Sequence, residues 1–239
     1  MPEFVSAGRS VPAANGWNWI VQGWNLFKRQ PGIWIALIVV LMVIFIVLAF
    51  IPILGSLASM VLGPVFAGGL VIGCRDLEQR GELKIEHLFA GFRERFGTLA
   101  SLGLLYLAAT VIIALLAGLA TGAKLSGLLG GAPTDPAAVL AAAMTLLLAA
   151  LIMLALMLPV VMAIWFAPPL AVFHQLGAIE ALKSSFAGCL RNIMPFLVYG
   201  VILLGLSIVA SIPFGLGWLV LGPVVAASIY TAYRDIFFS

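Results

Sequence analysis

Charged residues are scarce in this chain and are missing altogether from four long segments. Asp, Glu, Lys and Arg make up 9% of the 239 residues, whereas apolar residues make up 64%. Soluble globular domains contain about 25% charged residues, so the composition excludes an ordinary soluble fold. The charge-free segments are residues 30–74, 96–123, 136–179 and 192–233. They predict an integral membrane protein.

Cysteine and histidine are also rare, with two of each. Cys74 and Cys189 are interpreted as free thiols because two isolated cysteines do not form a disulfide framework. His87 and His174 match no metal-ligand spacing, and we interpret them as surface or interfacial side chains. The sequence contains no nucleotide-binding loop, no nucleophile elbow and no segment long enough for a soluble catalytic domain. We therefore predict a protein that is not an enzyme and needs no metal or other cofactor.

The lengths of the charge-free segments predict how often the chain crosses a bilayer. One crossing needs about 20 apolar residues. The first and last segments are long enough for two crossings each, and the second for one. The third is read as one long or kinked helix, because a turn near Pro159 or Pro168 would lie among apolar side chains. The prediction is an all-α polytopic bundle of six transmembrane helices, forming a single domain over residues 1–239.

The distribution of basic residues predicts the orientation. With six crossings, all but one of the twelve Lys and Arg residues fall on the side of the two termini. The exception is Lys124, within a Gly-rich segment, residues 122–136, that we expect to be a flexible loop. By the positive-inside rule, both termini face the cytoplasm.

Three segments on the side of the termini have the apolar periodicity of one helix face. Their apolar stripes are Trp17, Ile20, Val21, Trp24 and Phe27; then Ile85, Leu88, Phe89, Phe92 and Phe96; then Ile179, Leu182, Phe186, Cys189 and Leu190. Such helices suit the headgroup boundary of a membrane, and packing of the stripes on the bundle is the alternative. The candidate lipid-headgroup and interface residues are Lys28, Arg29, Arg93, Arg95, Lys183, Arg191, Trp17, Trp24, Phe89, Phe92 and Phe186.

Short sequence similarities predict a threefold repeat of amphipathic helix, outgoing span and returning span. The motif that begins at Leu62, Leu-Gly-Pro-Val, recurs at Leu221, with a weaker copy at Leu158. An Arg-Asp pair follows the proline at the same distance in the first and third copies, at Arg75 and Arg234. The predicted units are residues 15–78, 83–176 and 177–238. They are parallel, because each begins and ends on the same side.

Small residues within the spans predict close helix packing. Gly and Ala allow helix backbones to approach one another where lipid provides no hydrophobic drive for association. The residues concerned are Gly63, Gly69, Gly73, Gly222 and Ala226. They pack spans of one chain together or form a homodimer, and the sequence leaves both alternatives open.

Several motifs together resemble a family of uncharacterised bacterial inner-membrane proteins. They are the Gly-Trp-Asn-Trp-Ile segment at Gly16, the Trp-Asn-Leu-Phe-Lys segment at Trp24, the Leu-Gly-Pro-Val motif at Leu62 and the Arg-Asp pair at Arg75. The chain is more distantly similar to YciC-like proteins and to the membrane domain of some glycerophosphodiester phosphodiesterases. The resemblance implies a multi-pass protein of the bacterial inner membrane and transfers no catalytic residue.

The scarcity of charge within the spans bears on function. Ionisable residues at that depth are costly and usually functional, so their absence argues against an ion-coupled pump. We favour a non-enzymatic accessory or organising protein, or one that interacts with phospholipid at the cytoplasmic leaflet. Its expected partners are membrane phospholipids, with another membrane protein or a second copy of itself as further candidates, and no nucleic acid. The alternatives are a transporter or channel for a small apolar or zwitterionic solute and, third, an enzyme acting within the membrane.

Overall fold

The fold is known from a computed structural model that describes residues 3–129 and 136–238. Within these residues the secondary structure is helical, apart from one antiparallel bridge between Phe4 and Phe238. The helices are α1 Asn15–Arg29, α2 Pro31–Ala49, α3 Leu54–Arg80, a 3₁₀ helix Ile85–Phe89, α4 Ala90–Glu94, α5 Phe96–Leu129, α6 Pro136–Trp165, α7 Ala167–Phe173, α8 Ala178–Arg191, α9 Ile193–Ser211 and α10 Trp218–Phe237.

Local chemistry explains where the first helices begin and end. Pro31 is the first residue of α2, a position that tolerates proline because the N–H there has no helical partner. Helix α3 ends at Gly81, whose φ of 73° is the left-handed conformation that favours glycine. The side chain of Gln30 donates to the Gly81 carbonyl and accepts from the Leu83 N–H, at 3.0 and 2.9 Å. The break between α1 and α2 is thereby tied to the end of α3.

Among the residues that the structure describes, five helical segments are long and apolar enough to cross a membrane. They are Pro31–Ala49, Leu54–Arg80, Phe96–Leu119, Val139–Phe173 and Ile193–Ser211. Helix α10 is not among them, so the predicted count of six spans stays a prediction.

The third charge-free segment and the Gly-rich segment differ in part from the sequence-based description. Helix α6 continues through Pro159 and ends at Trp165, and α7 follows after Phe166. Residues 122–129, predicted to lie in a loop, are the end of helix α5. That part of the prediction is wrong, because a helix of mostly Ala, Leu and Gly continues past the last strongly apolar turn. The remainder of the predicted loop, residues 130–135, lies outside the described residues.

The chain divides into two compact units, residues 1–104 with 162–239 and residues 105–161. In the first unit, the largest fully buried side chains include Trp19, Trp34, Phe166, Tyr233 and Phe237. In the second unit, many Leu side chains of α5 and α6 are exposed. The prediction of a single domain is not tested by this division.

Three helix crossings in the first unit share one geometry. A Cβ on Gly23 of α1 would lie 2.7 Å from the Val224 carbonyl oxygen and 2.8 Å from the Ser228 nitrogen of α10. Gly91 of α4 approaches the Val65 carbonyl and the Gly69 nitrogen of α3 in the same way. The Ser185 hydroxyl of α8 donates to the Met162 carbonyl at 2.7 Å and accepts from the Phe166 N–H at 2.9 Å.

Each of these crossings therefore places a small residue against a carbonyl and the amide four residues further on. The two glycines sit beside the residue that follows a helix-internal proline, at Pro64 and Pro223. Ser185 instead lies against the carbonyl of Met162, which follows Pro159 by three residues.

Candidate lipid-facing site at the charged end

Side-chain hydrogen bonds tie together the ends of several helices at what we call the charged end, which contains residues 4–9, 28–30, 75–95, 173–192 and 230–238. The Asp235 carboxylate accepts from Arg9 at 3.0 Å, from Asn15 at 2.7 Å and from the Trp19 indole at 2.8 Å. Arg234 pairs with Glu78, which also accepts from the Tyr230 hydroxyl. The segment at Arg9 is therefore held to the end of α10, and the end of α10 is held to the end of α3.

Three of the six predicted headgroup cations are used inside the protein. Arg29 donates to the Leu77 and Glu78 carbonyls at the end of α3, at 3.2 and 3.3 Å. Arg95 donates to two carbonyls that follow α7, those of Gln175 and Leu176. Arg191 donates to the Gly8 carbonyl at 2.8 Å. Cations at these positions compensate the unsatisfied carbonyls of helix ends and loops.

The other three cations, Lys28, Arg93 and Lys183, are exposed. Within the described residues, none of them has a hydrogen-bond or ion-pair partner. One belongs to each of the three segments that the sequence identifies as amphipathic. Their charges are free for an anionic ligand.

The buried face of helix α1 overlaps the predicted stripe, because Ile20 and Phe27 of the stripe are buried. The inner face, with Trp19, Gly23 and Leu26, is buried against α9 and α10. Trp17 and Trp24, from the predicted stripe, remain exposed at 52% and 42% of their surface. The helix therefore packs on the bundle and still presents two indoles outward.

An apolar groove lies beside the two exposed indoles. Its volume is about 530 Å³. Apolar side chains of α1, α9 and α10 line it, including Trp17, Trp24, Leu206, Val209, Val220 and Val224. Sequence analysis missed the walls on α9 and α10, because they are ordinary apolar span residues with no distinguishing pattern.

The other two segments also leave apolar surface exposed. In the second, Phe89 is 38% exposed and Phe92 is partly buried, and both rings contact Phe66 edge to face. This segment is a 3₁₀ helix followed by the short α4, whereas the periodicity predicts one helix. In the third, Phe186 is 36% exposed on α8.

The small residues predicted to pack helices have different surroundings. Gly69 lies against the His87 and Leu88 carbonyls, and Gly73 lies against Leu83 and His87. Gly222 faces Ile38 of α2. Gly63 has open space where a Cβ would be, and Ala226 is partly buried. The close contacts of α3 at Gly69 and Gly73 are thus made with the segment that follows it.

The two histidines and Cys189 at this end are held by protein contacts, the Cys189 thiol by a hydrogen bond to the Met162 carbonyl. His87 accepts from the Lys84 N–H at 3.0 Å, and its other ring nitrogen lies 3.4 Å from Asp76. His174 hydrogen-bonds the Tyr233 hydroxyl at 2.6 Å and stacks on Phe4. Burial lowers the pKa of His174 and raises the pKa of Cys189 to about 12. Near neutral pH both groups are therefore uncharged.

A second cavity, with polar walls, opens between the ends of α3, α7 and α10. Its volume is about 650 Å³, and Arg75, Glu78, His174, Tyr233 and Arg234 are among its lining residues. The sequence analysis noted the Arg-Asp pairs as marks of a repeat and of a family resemblance, and did not assign them to a site. Each arginine follows a helix-internal proline by the same number of residues. This equal spacing could have predicted that both arginines lie at the same depth relative to the membrane.

Comparison with known proteins gives one match of substantial length. Over 213 residues the chain is 32% identical to the Probable inner membrane protein BTH_II0599 of Burkholderia thailandensis, covering 86% of this chain and 77% of that protein. No family model and no solved structure matches the chain. The match supports the broad resemblance to inner-membrane proteins, while the similarity to YciC-like proteins and to the phosphodiesterase membrane domain stays a prediction.

Proposed function

The chain belongs to the family of inner-membrane proteins that includes the Burkholderia thailandensis protein, and from that premise we propose that it is a non-enzymatic protein that binds phospholipid at the cytoplasmic leaflet. In this proposal the chain crosses the membrane six times, and the charged end faces the cytoplasm. Binding lipid there would let the protein organise or accompany another membrane component.

The observation that carries the proposal is the outward face of α1. Trp17 and Trp24 stay exposed beside an apolar groove, and Lys28 has no protein partner within the described residues. Indole rings favour the boundary between headgroups and acyl chains. An acyl chain would cover the apolar groove, and the phosphate of the same lipid would pair with the charge of Lys28.

Arg93 and Lys183 extend the same chemistry to the other two segments. Each is exposed close in sequence to an exposed phenylalanine, Phe89 or Phe186. A basic residue near an anionic leaflet contributes about 1 kcal/mol of attraction. Three such residues are enough for a measurable preference for anionic lipid.

The alternative of a transporter or channel receives no comparable support. It would need hydroxyl groups of the spans to line a polar path. Tyr199 and Ser228 instead hydrogen-bond each other at 2.7 Å in the buried core, and Thr231 donates to the Trp19 carbonyl. Satisfied hydroxyls of this kind support helix packing.

Native mass spectrometry of the detergent-solubilised protein with phosphatidylglycerol tests the proposal. The variant K28Q/R93Q/K183Q removes the three unpartnered charges, and K28R/R93K/K183R keeps them as the matched control. We expect the first variant to retain phosphatidylglycerol about a hundredfold less than the native protein, because the three lost charges together remove about 3 kcal/mol of attraction. The control should retain it normally. Equal retention by all three proteins would contradict the proposal.

A further inference from the structure

The polar cavity of the charged end, described above, has two arginine side chains that can bind a negatively charged group, and it has aromatic walls. Arg75 comes from α3 and Arg234 from α10, and both line the cavity. Phe173, Tyr230 and Phe238 supply aromatic walls. A volume of about 650 Å³ lies in the range typical of small-molecule sites, about 300–1,000 Å³.

Both guanidinium groups are held in place and keep unused donors. Arg75 donates from Nε to Asp76 at 3.1 Å, and its guanidinium carbon lies 5.2 Å from the centre of the Phe173 ring. Arg234 donates from one Nη to Glu78. The remaining N–H groups of both arginines form no hydrogen bond within the described part of the chain. Ordering of the side chains before binding reduces the entropy cost of binding a ligand.

A third polar group completes the lining. His174 and Tyr233 share a hydrogen bond of 2.6 Å, and Phe4 stacks on His174 from the N-terminal segment. The pair can reorient to donate one hydrogen bond to a ligand. Counting Arg75, Arg234 and Glu78, the charged side chains of the lining leave one net positive charge.

We propose that this cavity binds the phosphate group of a phosphomonoester between Arg75 and Arg234, with the aromatic walls holding the body of the ligand. A phosphomonoester carries a charge of about −1.5 to −2 and three acceptor oxygens, enough for two guanidiniums from different helices and the His174–Tyr233 pair. A carboxylate offers two oxygens and suits a single guanidinium fork. The ligand is either a soluble phosphorylated compound or a lipid with a phosphomonoester headgroup.

The negative charge of Glu78 is expected to weaken the binding of phosphate in this cavity. Its carboxylate pairs with Arg234 and lines the same cavity, so it competes with a bound phosphate. Replacing it by Gln removes that repulsion and keeps an acceptor for the Tyr230 hydroxyl. Affinity for phosphate should therefore rise in E78Q and fall in R75Q and R234Q.

Isothermal titration calorimetry of the full chain in non-ionic detergent tests the proposal, with phenyl phosphate as the probe and benzoate as the carboxylate control. We expect phenyl phosphate to bind, benzoate to bind much more weakly, and each Arg→Gln variant to lose about tenfold to a hundredfold in affinity. E78Q should bind several-fold more tightly. R75K keeps the charge beside Asp76 but loses the fork, and should be intermediate. It also serves if R75Q fails to fold.

Short-chain phosphatidic acid distinguishes the two ligand sources. Tighter binding than phenyl phosphate, with the same dependence on Arg75 and Arg234, assigns a lipid headgroup. Equal or weaker binding assigns a soluble phosphorylated compound.

Three results would overturn the proposal: no heat from any phosphate probe at millimolar concentration, equal affinity for benzoate, or unchanged affinity in folded R75Q and R234Q. The variant K28Q/R93Q/K183Q should bind phenyl phosphate normally, so this proposal and that of leaflet binding fail separately.

Discussion

Asp235 shows how a single residue near the end of the chain holds the charged end together. Its carboxylate accepts from the Trp19 indole, which is fully buried, and from Asn15 and Arg9. The sequence analysis recognised the Arg234–Asp235 pair but could not assign the partners of Asp235, because they lie more than 200 residues away in the chain.

Replacing Asp235 should destabilise the fold. D235A leaves the buried Trp19 N–H without an acceptor, a loss of about 1–3 kcal/mol. Thermal unfolding in detergent should show a lower Tm for D235A and a smaller decrease for D235N, which keeps an acceptor oxygen. E94Q, at an exposed position, serves as the control and should unfold like the native protein. A native Tm for D235A would contradict this role.

His174 predicts a pH dependence of stability. Burial lowers its pKa in the folded state below the unfolded value, so the unfolded state binds protons more readily as the pH falls. The stability contributed by neutral His174 is full above the unfolded pKa, near 6.5, and decreases below it.

Tyr233, Arg75, Glu78 and Arg234 face the same cavity as His174. The Tm of the native protein should therefore fall more steeply between neutral and mildly acidic pH than that of H174Q. Parallel curves would show that His174 does not contribute.

At the scale of helices, the periodicity of α1 did not predict which of its side chains face the bundle. Of the stripe from Trp17 to Phe27 on α1, Ile20 and Phe27 are buried together with Trp19 and Leu26, whereas Trp17 and Trp24 are exposed. Periodicity could not show which of these side chains face the bundle, because all of them are apolar. The deciding features are Gly16 and Gly23, where α9 and α10 approach so closely that a side chain does not fit. Such proximity depends on tertiary contacts.

The close crossings predict opposite effects of glycine substitutions. G23A and G91A introduce a methyl group against the backbone of α10 and α3, and we expect a loss of about 1–3 kcal/mol each. G205A, in α9, meets no atom within 4 Å and should be neutral or stabilising. Thermal unfolding of the three variants tests this. Equal Tm values would mean that the crossings are looser than described.

At the scale of the whole molecule, the three crossings support the hypothesis of a threefold parallel repeat. Gly91, Ser185 and Gly23 each lie against a carbonyl and the amide four residues further on, in α3, the end of α6 and α10. The cations also divide evenly, since each segment has one that donates to a carbonyl and one that has no protein partner within the described residues. In this hypothesis the amphipathic segment of each unit packs on the returning helix of the unit before it, and α1 packs on α10.

Membrane class and most helix positions could be predicted from the sequence, because long charge-free runs have few alternative explanations. The candidate sites could be predicted only in part. Lys28, Arg93 and Lys183 could not be distinguished from Arg29, Arg95 and Arg191 by type or periodicity, since the difference lies in which loop carbonyls each side chain reaches. The cavity at Arg75 and Arg234 needed the positions of three helices that are distant in the chain.

The orientation of the charged end is the central claim, because leaflet binding depends on it. Single cysteines at Lys28, Arg93 and Lys183, placed in a chain with Cys74 and Cys189 replaced by Ala, can be labelled with a membrane-impermeant maleimide in intact cells and in inside-out membrane vesicles. We predict labelling at all three positions in the vesicles and at none in intact cells. Labelling of any of the three from outside intact cells would contradict the account.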